Sequence, residues 1–470
     1  MKVPQSPPHT EALIQAILGS GGGERLVDLL RHPQGPAPGG RYLHWDELRH
    51  RAPPAGLTTD EWWFAVKTAR QLLAKPLPLL DGAGRPFSLV LADPVLELVH
   101  RIDRDAAGPI RLVDPVANPE TRDRYLVRSL IEEAMTSSQL EGASTTRQVA
   151  KEMLRQGRKP RDRAEQMIYN NFRALGSIRD LVAAPLTPDT ILALHRTLTL
   201  DTLDDPTAAG RLRRPDEVID VVDHASHRVL HVPPPAEELP ERLDRLCRFA
   251  NPAAADPFLP PLLRAILLHF ALAYDHPFVD GNGRVARALF YWSALRQGYW
   301  LMEFVSISSV LKQAPAQYAR AYLHTETDGG DVTYFLIHQL ETILAALAGL
   351  YAYLDRKAAE LRATEALLKG SEPLRGVLNH RQMSLVRHAF RHPAALYTIE
   401  AHRRSHDVVY QTARADLMAL ADLGLLDRRK AGRAFVFAVP SDLPERLGRN
   451  DIGLTPSPPA ASVSPPLLRR

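Results

Sequence analysis

PLLRAILLHFALAYDHPFVDGNGRVARALFYWSALR, residues 261–296, is two apolar runs joined by a short link. Apolar positions recur at helical spacing from Pro261 to Asp275 and again from near Arg284 to Arg296, just before Gly298. The link is HPFVDGNG, His276–Gly283. Asp-Gly and Asn-Gly dipeptides are strong hairpin signals, but neither flank alternates as a strand would. The link therefore enters a helix N-terminus, where free N–H groups and the helix dipole attract anions. Gly281 and Gly283 lack a Cβ, so a ligand can approach the main chain closely, which suggests a phosphate cradle. Arg284 and Arg287 share one face of the first turn, a place where the dipole disfavours cations unless an anion offsets them. His276 has a side chain suited to taking a proton from a hydroxyl near neutral pH. Asp280 is a hard oxygen ligand suited to a magnesium ion that bridges phosphates. Base, metal ligand, amide cradle and two guanidinium groups together are the parts needed for transfer from a nucleoside triphosphate.

The helical period continues outward. RDRYLVRSLIEEAMTSSQLE (Arg122–Glu141) places Leu126, Leu130, Ala134 and Met135 on one face and stops near Gly142. Thr145–Leu154, Arg163–Leu181 and Pro188–Leu198 follow, and Val305–Leu323 and Tyr334–Leu361 close the central region. One interval breaks this period. VIDVVDHASHRVLHV (Val218–Val232) sets two β-rich runs around Asp223–Ser226 and halts at Pro233–Pro235, which predicts a hairpin on the edge of a helical domain. Its His224, His227 and His231 lack a fourth ligand, and their strand spacing argues against a metal site. Upstream, Leu57–Ile102 predicts a helix, a DGAGRP turn and a second helical stretch, an N-terminal helical lobe. QGPAPGG (Gln34–Gly40) and TPSPPAASVSPP (Thr455–Pro466) have the composition of linkers and tails.

At 470 residues the chain has room for two to three cores of ~150 residues each. Apolar residues at 45% and charged residues at 24% exclude a wholly disordered chain, a collagen and a long coiled coil. The 39 prolines favour loops and helix stops. A net charge of +4 is too small to imply a nucleic-acid partner by itself. The single cysteine, Cys247, permits no intramolecular disulfide and no thiolate cluster, in keeping with a reducing compartment. The first residues, MKVPQSPPHT, lack an apolar signal core. The apolar stretch Leu262–Tyr274 is interrupted by Arg264 and His269 and falls short of the ~20 residues that span a bilayer. These features predict a cytoplasmic protein with no membrane partner.

HPFVDGNGRVAR (His276–Arg287) resembles, at every defined position, the motif of the Fic family: histidine, any residue, phenylalanine, any, acidic, GNGR, two of any, arginine. The resemblance implies a mainly α protein with a Fic-type helical core and a small β-hairpin flap. It implies a protein adenylyltransferase (AMPylator) in which a target hydroxyl attacks the α-phosphorus of ATP, with Mg2+ present, leaving AMP on the protein and releasing pyrophosphate. On this resemblance His276 is the base, Asp280 the magnesium ligand, and Asn282 with the amides near Gly281 and Gly283 the phosphate holders. Arg284 and Arg287 contact the β- and γ-phosphates, and Phe278 is a buried anchor. SSQLEG (Ser137–Gly142) is similar to the family's inhibitory motif, and implies that Glu141 pairs with Arg287 in the space the γ-phosphate needs. The hairpin 218–232 resembles the family's flap, which holds a target segment by strand addition and presents its Tyr, Thr or Ser hydroxyl to the base.

Beyond this core, RQMSLVRHAF, a short helix LYTIEAHRRSH, VVYQTARADLMALADLGLLD and RRKAGRAFVFAVP follow in an order that resembles a winged helix-turn-helix. Tyr410–Leu423 is then the recognition-type helix and Arg428–Val439 the wing. Gln411, Thr412 and Arg414 face a groove, with Arg428, Arg429, Lys430 and Arg433 near phosphates. Such a module takes DNA, a protein partner or a second copy of the chain in a homodimer, and the residues leave these open. The expected domains are a 1–120 N-terminal helical region with a disordered start, a 121–365 Fic domain, a 375–442 winged helix and a 443–470 disordered tail. Within the Fic domain lie an inhibitory helix at about 122–142 and a core at about 185–345. Two alternatives stand beside the leading one: a DNA-binding regulator whose Fic core senses nucleotide, and an enzyme that removes AMP with the same residues.

Overall fold

Helix start and stop signals set most of the architecture. The computed structural model describes residues 3–31, 34–106, 119–223, 227–370, 378–392, 395–431, 434–440, 442–443 and 446, and the chain divides into two units, 1–352 and 353–470. The first unit begins with α1 (Thr10–Arg31), α2 (Trp45–Leu48) and α3 (Thr59–Leu73). Leu13, Ile17 and Leu29 of α1 are buried with Trp45, Trp62, Trp63 and Phe64, so the expected disordered start is instead a packed helix from Thr10. Gly- and Pro-rich composition concealed it, although those three apolar residues suffice to seat it against four aromatics. Thr58 and Glu61 form a reciprocal capping box at the start of α3.

After α3 the structure departs from the expected second helical stretch. An antiparallel hairpin, β1 (Ala74–Leu80) and β2 (Pro86–Val90), precedes α4 (Asp93–Ala106). Pro76 and Pro78 hide β1 from a propensity reading, yet a two-stranded ribbon tolerates prolines because each strand is an edge. Leu77 and Leu79 point inward while Pro76 and Pro78 point out.

The centre is helical. In order come α5 (Pro119–Leu140), α6 (Arg147–Gln156), α7 (Arg163–Leu181) and α8 (Pro188–Thr199), then β3 (Val221–Val222) and β4 (Val229–His231). There follow α9 (Leu239–Ala250), α10 (Pro261–Asp275), α11 (Asn282–Arg296), α12 (Ile307–Leu311), α13 (Pro315–Thr327) and α14 (Thr333–Gly370). α10 and α11 lie against one another, and α5, α7 and α8 flank α11. Both central helices are buried nearly all round, with Arg264, His269, Arg284 and Arg287 buried among their apolar residues. The expected helix over Val305–Leu323 is broken in two, because Pro315 cannot continue α12 and serves as the first residue of α13. Thr333–Arg356 within α14 is long and apolar enough to cross a bilayer by length and composition, and it buries Phe335, Leu336, Leu340 and Ile343 in this core. Arg70 ties the N-terminal helices to α14: it is buried and donates to Tyr334 Oη at 2.7 Å and Leu43 O at 3.0 Å. The expected division at 120/121 thus falls inside one unit. The β3–β4 hairpin pairs Val221 with His231 and Val222 with Val229, a shorter ladder than 218–232, and His224 lies outside the described residues.

The second unit holds α15 (His380–Arg391), β5 (Leu396–Thr398), α16 (Ile399–His406), α17 (Tyr410–Asp422), β6 (Asp427–Ala431) and β7 (Ala434–Ala438). Its antiparallel sheet runs β5-β7-β6 over a core that includes Val386, Ala413, Leu417, Leu420 and Phe437. The expected short helix LYTIEAHRRSH starts late: Leu396–Thr398 pair with β7, and Thr398 caps α16 through its hydroxyl. Of the expected 443–470 tail, Leu443 is buried in this core and Arg446 donates to Gly424 O at 2.7 Å. The rest of the tail, and Arg433 of the expected wing, lie outside the described residues.

Candidate active site

The link between α10 and α11 is held by its own side chains first. His276 closes α10 in a left-handed conformation, φ 46°, which a residue with a Cβ adopts only when its surroundings enforce it. Arg213 is the enforcing group: its Nε donates to His276 O at 3.0 Å, its backbone N–H to Pro277 O at 2.9 Å, and a guanidinium nitrogen to Pro234 O. Asn282 completes the turn, accepting from Phe278 N at 2.9 Å and donating to Phe278 O at 2.8 Å. Both polar atoms of that side chain are therefore engaged within the loop. The side chain thus shapes the loop, and its second amide hydrogen and its main chain remain for the phosphate-holding role expected of it.

Phe278 is fully buried, with His195 stacked on it at 3.8 Å and 5°. Gly210 N donates to His195 Nδ1 at 2.9 Å, so the other ring nitrogen carries the proton and donates to Asp280 O at 3.0 Å. Burial holds His195 down at a pKa of about 4, so it is a neutral strut.

Gly281 is required by its backbone angle and by space, whereas Gly283 meets only the movable ends of side chains. Gly281 caps α11 at φ 85°, where a Cβ would also come within 2.9 Å of Thr199. A Cβ on Gly283 would overlap the carboxylate of Glu141. Gly281 offers no side chain to cap the first-turn amides of α11.

His276 Nδ1 lies 3.2 Å from Ala273 O. A carbonyl only accepts, so this nitrogen holds the proton and Nε2 keeps its lone pair. Burial lowers the His276 pKa, opposed by Ala273 O and by the Glu141 charge, and the neutral ring is favoured. Asp280 Oδ1 accepts from Gly281 N at 2.5 Å, Oδ2 lies 3.3 Å from Arg284, and the side chain is 36% exposed. A carboxylate oxygen beside the amide cradle, part open to solvent, fits a magnesium ion that draws its remaining ligands from phosphate and water.

The two arginines are buried, and each has partners far away in sequence. Arg284 donates to Leu198 O at 2.9 Å, and its Nε has no partner among the described residues. Burial depresses its pKa against the pull of Asp280 and Glu141. Arg287 donates through Nε to Ser137 Oγ at 2.8 Å and through Nη2 to Ser137 O at 3.0 Å and Glu141 Oε1 at 2.7 Å. Burial alone would raise the Glu141 pKa, but the Arg287 charge and hydrogen bond outweigh it and keep the carboxylate below its usual range.

Glu141 reaches this place because the second half of α5 is pinned. Buried Glu133 accepts from Ser306 Oγ at 2.8 Å, Ser308 N at 3.0 Å and Ser308 Oγ at 2.5 Å. The structure thus gathers Glu141, His276, Asp280, Gly281, Gly283, Arg284 and Arg287 at one helix N-terminus. Sequence reasoning missed His195, Arg213 and Glu133, whose roles depend on partners brought by the fold and leave no local spacing signal.

Part of the chain is similar to known proteins. Residues 185–294 match the model of the Fic/DOC family. A protein adenylyltransferase Fic of Nematostella vectensis is 35% identical over 115 residues, 24% of either chain. One of Drosophila melanogaster is 33% identical over 114 residues, 24% of this chain and 21% of its own. The chain spans about a quarter of the length of these curated relatives. A solved Fic family protein from Desulfovibrio desulfuricans G20 aligns with a TM-score of 0.49 at 18% identity, over 75% of this chain and 97% of that one.

Proposed function

We propose that this chain, which carries a Fic/DOC-family domain at residues 185–294, is a protein adenylyltransferase held in check by its own Glu141. The observation that carries the proposal is the orientation of His276. With Nδ1 committed to Ala273 O, Nε2 is a free base beside an anion-seeking helix N-terminus. A target hydroxyl gives its proton to Nε2 and its oxygen bonds to the α-phosphorus of ATP. The bond from that phosphorus to the bridging oxygen breaks, and pyrophosphate leaves. The amides of Gly283 and neighbouring residues, with Arg284 and Arg287, offset the phosphate charge; the unpartnered Nε of Arg284 is a donor suited to it. Asp280 would hold magnesium, which supplies further charge neutralisation when bound. The β3–β4 hairpin presents the target by strand addition.

Glu141 supplies the restraint. Its carboxylate covers Gly283 and occupies Arg287, so a γ-phosphate must displace it to reach that guanidinium. Incubation with labelled ATP and magnesium tests both statements. Glu141→Gly should raise label on the chain or a partner well above wild type, and adding His276→Ala should abolish it, by about 10²–10⁴-fold for a general base. A silent Glu141→Gly protein would refute the activity.

A second function concerns residues 353–470. Exposed Tyr410, Gln411 and Arg414 on α17 and exposed Arg428, Arg429 and Lys430 on β6 favour a winged-helix contact with duplex DNA.

A further inference from the structure

We propose that His231 is a positioning residue that, as an imidazolium, latches the flap hairpin to the carboxyl end of α10 and sets the alkaline limit of target transfer. The kinetic consequence rests on the adenylyltransferase reading; the latch does not.

His231 ends β4, and its ring lies 4.5 Å from that of Tyr274. Nε2 is 2.7 Å from Tyr274 O, and Nδ1 is 2.8 Å from Glu326 Oε1 on α13. A carbonyl and a carboxylate both only accept, so both ring nitrogens must carry hydrogen to serve both contacts. Tyr274 O needs this donor. The residue four positions on, Phe278, gives its N–H to Asn282 Oδ1 instead, which leaves the carbonyl without a helical partner. A cation at the carboxyl end of a helix also meets the favourable end of its dipole.

The groups facing His231 are Glu326 on α13, and Tyr274, Asp275 and His276 at the end of α10. The His231 side chain is only 10% exposed. Burial lowers its pKa, but Glu326, Tyr274 O and Asp275 together outweigh burial and raise it. Burial pushes Asp275 up to about 6 against the pull of Arg242, and Tyr274 up to about 12. His276 shifts the other way, lowered by burial and further by the His231 charge.

Two neighbouring histidines are thereby poised on opposite sides of their ordinary value. His276 is a base once pH exceeds its lowered pKa; the His231 cation persists until pH exceeds its raised one. When His231 loses a proton, one of its two contacts goes. The hairpin moves with it because Val221 is paired to His231 in the ladder. Val218, Val222, Val229 and Val232 are exposed on this hairpin, an apolar surface for a target strand, so the latch governs how that strand is aimed at His276.

His231→Gln and Glu326→Gln, each made in the full-length Glu141→Gly chain, test the proposal. Each should raise the KM for target about ten-fold with little change in kcat, and should remove the alkaline limb of kcat/KM. Asp275→Asn should retain that limb. Two readouts need no transfer at all. Ring-nitrogen NMR of wild type should show His231 doubly protonated at about pH 7, titrating above the ordinary ~6.5. Amide exchange over 221–231 should speed up beyond its intrinsic base dependence as that proton leaves, and should already be fast in His231→Gln. A neutral His231 ring at about pH 6 would overturn the latch, as would a wild-type flap exchange profile in His231→Gln. Loss of all transfer with the NMR and exchange results intact would instead remove the enzymatic reading and leave the latch standing.

Discussion

The loop 276–287 and the unit 353–470 use charge in opposite ways. Arg284 and Arg287 are 0% and 2% exposed, and besides Asp280 within the loop they reach Leu198 on α8, Ser137 on α5 and Glu141 just past the end of α5. Arg403 and Arg404 of α16 share Glu400 within one turn and stay largely in water. An exposed pair of the second kind contributes little to stability, because water screens it, and can be rearranged freely. A buried guanidinium has given up its hydration and is tolerated only where the fold supplies acceptors. Charge in the loop therefore marks a prepared site, whereas charge on α16 marks a solvated face.

The sharpest way to break this contrast is to loosen the loop while leaving its charges in place. Phe278→Ala removes the ring between His195 and the turn and should lower the stability of the first unit by about 3–5 kcal/mol. All five tryptophans, Trp45, Trp62, Trp63, Trp292 and Trp300, lie in residues 1–352. Denaturant unfolding followed by tryptophan fluorescence therefore reports that unit alone. A midpoint equal to wild type would mean that the loop is not held by its anchor, and that buried charge there is merely accommodated.

Among the described residues of the second unit, a buried charged cluster offers an intermediate effect. Asp416 is buried and accepts from Asn379 Nδ2 at 2.7 Å, Arg381 Nε at 2.7 Å and His402 Nε2 at 3.1 Å, joining α15, α16 and α17. Burial raises its pKa, but these donors outweigh burial and the net shift is downward. A depressed carboxyl pKa contributes stability above the ordinary value of 3.8, and that contribution is lost as pH falls through the depressed one. Asp416→Asn should cost this unit about 1.5–3 kcal/mol at neutral pH and make it less sensitive to acid than wild type. Circular dichroism should show the loss while the tryptophan transition stays put. A matching shift in both signals would mean that the two units do not unfold separately.

How much of this was legible in the sequence follows the same division. His276, Asp280, Gly281, Gly283, Arg284 and Arg287 stand on one continuous stretch whose helical flanks fix its direction, so residue spacing alone gathered them. Glu141 was reached through the resemblance of SSQLEG to an inhibitory motif, and helix α5 ends where Gly142 indicated. The structural part Asn282 plays in the turn was not legible, because its bonds to Phe278 N and O exist only once the link has folded. His195 and Arg213 were invisible: a lone histidine in an apolar helix and an arginine in a loop have no local pattern, and only the packed turn brings them to Asp280 O and His276 O. The β1–β2 hairpin was missed because prolines outvoted the inward alternation of Leu77 and Leu79. Thr398 closed a strand that propensity had merged with α16.

The smallest effect tests the solvated face itself. Arg429 and Lys430 are exposed on β6. Replacing both with Ala should change the stability of the unit by less than about 0.5 kcal/mol, since surface substitutions away from caps and cores rarely do more. If this face meets duplex DNA, the same pair should flatten the dependence of log affinity on log salt by about 0.9 per lost phosphate contact, evenly across sequences. Unchanged stability with a flatter slope would show surface charge serving a partner rather than the fold. A slope equal to wild type would take these two residues out of any DNA interface. A large loss of stability would mean that the sheet depends on its cations, and the contrast with the buried arginines of the loop would fail at its other end.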